Sequence, residues 1–216
     1  MLSKMREPVN GLTHFGGAIA ATVGLIMMLF FARNAAPIKY ISVLIYGITL
    51  ILLFSASSIY HSVKAAPETL NLLRKLDHSA IFLLIAGTYT PICINVLTGF
   101  FRWGFLLIIW LISIIGIFVK VRNIDAPKWF SAGVYVLLGW LCIFAFGQLN
   151  ALLTPLALGC LISGGVFYTV GAIIYSAKLL NFIPGKFGSH EVWHIFVLLG
   201  ASAHFILILG IITNQL

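Results

Sequence analysis

Residues 190–213 read HEVWHIFVLLGASAHFILILGIIT. Apart from three histidines, one glutamate and two hydroxyl residues, every position is apolar or glycine. As an α-helix rising about 1.5 Å per residue, the stretch is roughly 36 Å long, enough to cross a hydrocarbon core of about 30 Å. Six more apolar runs precede it, near 9–32, 39–63, 77–97, 102–119, 129–147 and 154–176. Proline and charge punctuate the gaps: Arg33 to Lys39 around Pro37, Lys64 to Lys75 around Pro67, Lys120 to Lys128 around Pro127, and Ala177 to Ser189 with Pro184 and Gly185. The expected fold is all-α: an integral membrane bundle of seven transmembrane helices forming a single domain over 1–216.

The composition agrees. The chain has 216 residues, 61% of them hydrophobic and only 8% charged, with a mean hydropathy of +1.10. Soluble domains carry about 25% charge, so this chain has too little to cover a water-facing surface. Seven spans leave only short loops, and no separate soluble catalytic domain fits. The first run is too long for a signal-peptide core and carries Asn10, Thr13 and His14, so it reads as a retained span. Cys93, Cys142 and Cys160 lie in apolar runs, odd in number and without CxxC spacing, which argues against a disulfide framework or zinc ribbon and favours buried inert thiols.

The net charge of +8 is topological. Lys4, Arg6, Lys64, Arg74, Lys75, Lys120, Arg122, Lys128, Lys178 and Lys186 fall on one side, and only Arg33, Lys39 and Arg102 on the other. Basic loops stay inside, so the N-terminus is expected in the cytoplasm and the C-terminus, Asn214-Gln215-Leu216, outside. No nucleic-acid partner is needed to explain the bases. Small residues at helical spacing (Gly16, Gly17, Ala20, Ala21 and Gly24 in the first span, Gly164, Gly165 and Gly171 in the sixth) suit close helix packing in a bilayer.

Ionisable groups inside a bilayer are costly and mark sites. His190 and His194 stand at i and i+4, one turn apart on one helical face, and can reach one metal ion or serve as interfacial hydrogen-bonding histidines. Ser57 and His61 repeat the spacing at the end of span two, and Asp77-His78 opens span three on the same side. Three histidines and a carboxylate thus converge on one depth from three helices. Three nitrogen ligands with an open fourth position form the pattern of a catalytic zinc site, which lowers the pKa of bound water to about 7. Asp77 can act there as a base, as a holder of that water, or simply as the N-cap of span three. Glu7, Asn10 and His14 share a face of the first helix at the same end, either supporting such a site or fixing helix one by hydrogen bonds. His204 lies about 20 Å beyond His190 and reads as a satisfied buried histidine. The HExxH spelling of 190–194 also admits a metalloprotease with Glu191 as general base, although Glu191 sits at the water boundary.

Glu7 to His14 (EPVNGLTH) resembles the opening motif of the bacterial hemolysin III family. Ser57 to His61, Leu76-Asp77-His78-Ser79, and His190 to His194 with Ala203-His204-Phe205 resemble the signature motifs of the wider progestin and adiponectin receptor (PAQR) superfamily. The motifs run in order from the first helix to the last. The resemblance implies zinc near the cytoplasmic face, with His61, His190 and His194 as ligands. It implies Asp77 as the acid holding the metal-bound water, and Ser57 one turn before the first ligand. Adiponectin-receptor-type relatives are associated with ceramide hydrolysis, whereas only about eight residues precede the first span here, so no hormone-receptor role carries over. The expected function is a zinc-dependent hydrolase of a membrane lipid amide or ester in the bacterial inner membrane, adjusting lipid composition or fluidity. Its partner is a lipid substrate or ligand; the oligomeric state is not readable. A pore or cytolysin is one rival, though the acids leave no charged path through the outer half of the bilayer. A non-catalytic homeostasis or signalling protein with structural zinc is the other.

Overall fold

The computed structural model describes residues 5–183 and 187–213. Lys4, Lys186, Pro184, Gly185 and Asn214-Gln215-Leu216 lie outside the described residues, and with them the expected position of the C-terminus. Helices α1 (Pro8–Ala32), α2 (Pro37–Ser62), α3 (Pro67–Asn95) and α4 (Phe100–Arg122) are followed by α5 (Lys128–Trp140), a 3₁₀ segment (Leu141–Ala145) and α6 (Phe146–Leu152). The chain ends with α7 (Pro155–Ser176) and α8 (Ser189–Thr213). Counting α5 through α6 as one, seven are long and apolar enough to cross a membrane. Four helices start on a proline, Pro8, Pro37, Pro67 and Pro155. There its fixed φ suits the helix and its missing N–H costs nothing.

Large apolar side chains such as Phe15, Ile26, Leu107, Ile115 and Leu137 are exposed around the outside. In water such a surface would drive aggregation; against acyl chains it is the expected exterior. The interior forms two clusters. Met28, Tyr46, Leu53 and Ile208 knit α1, α2 and α8 together, while Tyr89, Phe105, Leu149 and Leu161 join α3, α4, α6 and α7.

On α1 the buried residues Asn10, His14, Gly17, Ala21, Gly24 and Met28 recur every three or four positions. That seam explains where the polar residues point. A Cβ on Gly17 would meet Phe54 and Leu198, and one on Gly24 would meet Phe205, so the missing side chains bring α1 against α2 and α8. The same face carries Asn10 and His14 inward. Gly16 and Ala20, counted in the expected packing stripe, face outward instead, because they lie off this seam.

Two boundaries differ from the sequence reading. The segment around Pro67, expected as a loop up to Lys75, is helical from Pro67 onward, with Glu68 in the first turn where an acid suits the helix dipole. Asp77 is therefore not the N-cap of this helix; it sits ten residues inside α3. The fifth span is not one regular helix. Its irregular backbone is tolerated where a side chain re-satisfies the freed groups, and Tyr89 does so. The Tyr89 hydroxyl donates to the Gly139 carbonyl (2.6 Å) and accepts from the Cys142 N–H (2.8 Å). Tyr89→Phe is expected to destabilise the bundle by about 1–2 kcal/mol, read as a lowered melting temperature in detergent; an unchanged melt would remove this role.

Candidate metal centre

The site is assembled where the end of α2, the third turn of α3 and the first turns of α1 and α8 meet. The start of α1 is fixed by backbone bonds: the Arg6 N–H donates to Ser62 O (3.3 Å) and the Glu7 N–H to His61 O (2.9 Å). A side chain on Gly11 would collide with Ser62, and the Ser58 hydroxyl donates to the Gly11 carbonyl at 2.9 Å. These contacts bring Glu7, Asn10 and His14 to the cluster.

His61, His190 and His194 each offer one ring nitrogen, and the three atoms all lie within 4.8 Å of one another. Their ring centroids form a nearly equilateral triangle with sides of 5.0, 4.7 and 4.9 Å. Tetrahedral zinc with Zn–N bonds of about 2.0–2.1 Å needs nitrogens about 3.4 Å apart, so small rotations of the rings would close the set. His61 and His194 are buried and His190 is half-buried. His194 Nδ1 is buried without a hydrogen-bond partner, a cost that ligation through that nitrogen would remove. The donor set fits a divalent metal, and zinc is among the ions it suits.

Glu7 stands behind the triad. Its Oε2 accepts from His61 Nδ1 at 2.7 Å and lies 3.7 Å from His190 Nδ1. Burial alone would push this carboxyl up, but the hydrogen bond and charge of His61, with help from Asn10, bring it down to about 2. As an anion Glu7 fixes the His61 tautomer with its proton on Nδ1 and leaves Nε2 as the available donor atom. The Asn10 amide donates to both Glu7 Oε2 (3.1 Å) and Glu191 Oε1 (3.0 Å), joining α1 to α8. Glu191 Oε2 accepts the Gly188 N–H at 2.8 Å. Both of its oxygens are thus engaged in tying the start of α8 to α1 and to the preceding loop. His14 stacks on His194 with centroids 3.9 Å apart. Its approach to the His194 backbone falls short of a hydrogen bond, so both its ring nitrogens are buried without one. Glu7→Gln is expected to weaken divalent-metal binding about 10–100-fold, measured by competition with a chromophoric chelator. Unchanged affinity would reduce Glu7 to a tie between α1 and α2.

Asp77 and Ser57 occupy the wall beside the triad and hydrogen-bond to each other. From there a cavity of about 430 Å³ runs into the bundle, bounded along α3 by Asp77, Ile81, Leu84, Tyr89 and Ile92. Asp77 to Ile92 is roughly 22 Å of helix. His204 borders the cavity deep in the bundle and meets the Leu161 carbonyl at 3.1 Å; its hydrogen bond is satisfied as expected, but the residue is half-buried where full burial was expected. Gly164 leaves room for its ring. Tyr135, Tyr175 and Trp193 also line the cavity and were not singled out in the sequence. Their only signal there is the aromatic hydroxyl or indole in an apolar run, which a bilayer interface explains equally well.

Seven membrane-crossing helices with a three-histidine cluster at one end define a multi-pass membrane protein with a candidate metal centre. The chain belongs to the haemolysin-III related family, whose sequence profile matches residues 2–205. It is 34% identical to the Hemolysin-3 homolog of Bacillus subtilis (strain 168) over 97% of this chain and 95% of that one. It is 36% identical to Hemolysin-3 of Bacillus cereus over 94% and 90%. More distantly, it is 28% identical to the adiponectin receptor protein of Drosophila melanogaster, over 92% of this chain and 49% of the receptor.

Proposed function

We propose that this protein is a zinc-dependent hydrolase of membrane lipids, cleaving an amide or ester and so adjusting the composition and fluidity of its own bilayer. The bilayer is the bacterial inner membrane, with the histidine cluster on the cytoplasmic side. In support, Arg6, Lys64, Arg74, Lys75, Lys120, Arg122, Lys128 and Lys178 gather at the cluster's end of the bundle, against Arg33, Lys39 and Arg102 at the other.

What supports hydrolysis most is continuity: the triad, Asp77 and Ser57 line one end of a long cavity whose remaining wall is largely apolar. That shape suits an acyl chain with its carbonyl among polar groups. His61, His190 and His194 would hold zinc, which supplies Lewis acidity toward a carbonyl and toward water. Asp77 takes a proton from the attacking water and returns it to the departing amine or alcohol. Ser57, bonded to Asp77, orients that carboxylate. Overall, the acyl C–N or C–O bond breaks, the acyl carbon gains hydroxyl and the leaving group gains hydrogen. Cytolysis, which the names of the Bacillus relatives suggest, gains less support from a cavity whose far part is lined by Leu97, Phe105, Leu149 and Leu161.

The test is mass spectrometry of fatty acid released from vesicles containing ceramide or diacyl lipid by reconstituted, zinc-loaded protein. Release that stops on chelation and returns with zinc is expected. Full release from metal-free protein would overturn the reading, and so would none from the zinc-loaded form.

A further inference from the structure

Lys120 is only 7% exposed, yet none of the described carboxylates forms an ion pair with it. Its ammonium donates to Ser131 Oγ at 2.7 Å and to the Ile124 carbonyl at 3.3 Å, both neutral groups. Arg74 donates to the same carbonyl at 3.2 Å, so two cations sit within a few ångströms of each other. Arg74 has a counter-ion in Asp125 at 2.8 Å, but that carboxylate is 86% exposed and weakened by water. A third cation, Lys128, acts on Arg74 from the start of α5, with its ammonium 4.5 Å from the Tyr175 ring centroid. Asp125 also attracts Lys120, from beyond ion-pair distance; like charges gathered in a partly buried place still repel, and a buried charge without a close counter-ion is costly.

Topology explains bases at this end but not this burial. Lys64, Arg122 and Lys178 meet the same topological need at exposed positions. The C-terminal dipole of α4 favours a base at Lys120, but it offers partial charge where a full anion would neutralise the cluster. Position supplies the second clue. Lys120, Arg74 and Lys128 border the cavity that holds the histidine triad. Lys120, Ser131 and Tyr135 also border a second cavity of about 820 Å³ between α4 and α5, whose other walls include the exposed Ile115 and Phe130. Lys120 therefore stands where a lipid-facing groove and the triad cavity share a wall.

We propose that Lys120, Arg74 and Lys128 form a receptor for the phosphate of an anionic membrane lipid. Phosphate accepts several charge-assisted hydrogen bonds at once, which suits an ammonium and a guanidinium converging from two helices. In a phosphoglyceride the acyl carbonyl lies only a few bonds from phosphorus, so a phosphate held here brings an ester toward the triad. This rests on the hydrolase reading for its purpose and names the head group; the binding itself needs no turnover.

The test uses the full chain in detergent with dialkyl phosphatidic acid, whose ether links cannot be hydrolysed, so lost binding and lost hydrolysis are scored separately. Dialkyl phosphatidylcholine and inorganic phosphate are the comparison arms. Phosphatidic acid is expected to bind at least about tenfold more tightly than the choline lipid and to raise the melting temperature. Lys120→Met, which keeps the buried stem, and Lys128→Gln, at an exposed position, are each expected to remove about tenfold of that preference. Equal affinity for the two lipids overturns the proposal, as does a preference that survives in both variants. Inorganic phosphate giving the whole effect while the lipid gives none overturns the lipid as source.

Discussion

His194→Ala is expected to abolish stoichiometric metal binding and, with it, lipid hydrolysis. His194 is central to the cluster: its ring is 4.7 Å from His61, 4.9 Å from His190 and 3.9 Å from His14. Residues supporting metal ligands are each worth about 10–100-fold in affinity, so loss of one of three nitrogen ligands should exceed 100-fold. Zinc that binds only the folded state raises stability in proportion to the logarithm of its concentration over Kd. Wild-type protein should therefore melt higher as zinc is added, and the variant should show no such rise. Without metal the two should melt within a few degrees, because the triad then contributes little beyond packing. His204→Ala is the control: it removes a half-buried ring away from the triad and should keep the zinc-dependent rise. One equivalent of zinc bound by His194→Ala at wild-type affinity would rule out a metal centre built on His61, His190 and His194.

The seven spans are readable because the bilayer enforces them: about 20 apolar residues per crossing is a length requirement that composition alone reveals. The ends are less legible. Glu68, Arg74 and Lys75 made the start of α3 look like a loop, whereas Pro67 and the acidic first turn favour a helix there. Span five looked continuous because hydropathy does not register a 3₁₀ break that is repaired by a tyrosine from another helix. At the site, i, i+4 spacing located His190 with His194 and Ser57 with His61, since one turn of helix puts such pairs on one face. It did not reveal that Glu7 accepts a hydrogen bond from His61 Nδ1, or that Asn10 joins two carboxylates. Those contacts depend on the glycine seam of α1, whose depth of approach to α2 and α8 is a tertiary property. Lys120 was counted with the other bases because a charge tally cannot separate a buried lysine from an exposed one.

Asp77→Asn is expected to lower kcat for lipid hydrolysis by about 10²–10⁴-fold, the usual worth of a positioned general base, while zinc stays bound. The amide keeps the size and one acceptor oxygen of the carboxyl, so Ser57 retains a partner and α3, already helical from Pro67, does not depend on this residue to start. What is lost is the ability to take a proton from water and return it. KM should change little, since the cavity wall proposed to take the acyl chain, Ile81, Leu84 and Ile92, lies farther along α3. Glu7→Gln makes the opposite pattern: it loosens His61, so its defect should be repaired by excess zinc, whereas that of Asp77→Asn should not. If Asp77 only packs the wall, its amide variant will turn over near the wild-type rate, and proton transfer must then be assigned elsewhere. If the variant instead loses zinc together with activity, Asp77 acts on the metal ligands and not on the substrate's water. Loss of kcat with zinc retained is the outcome that makes Asp77 the catalytic residue of this site.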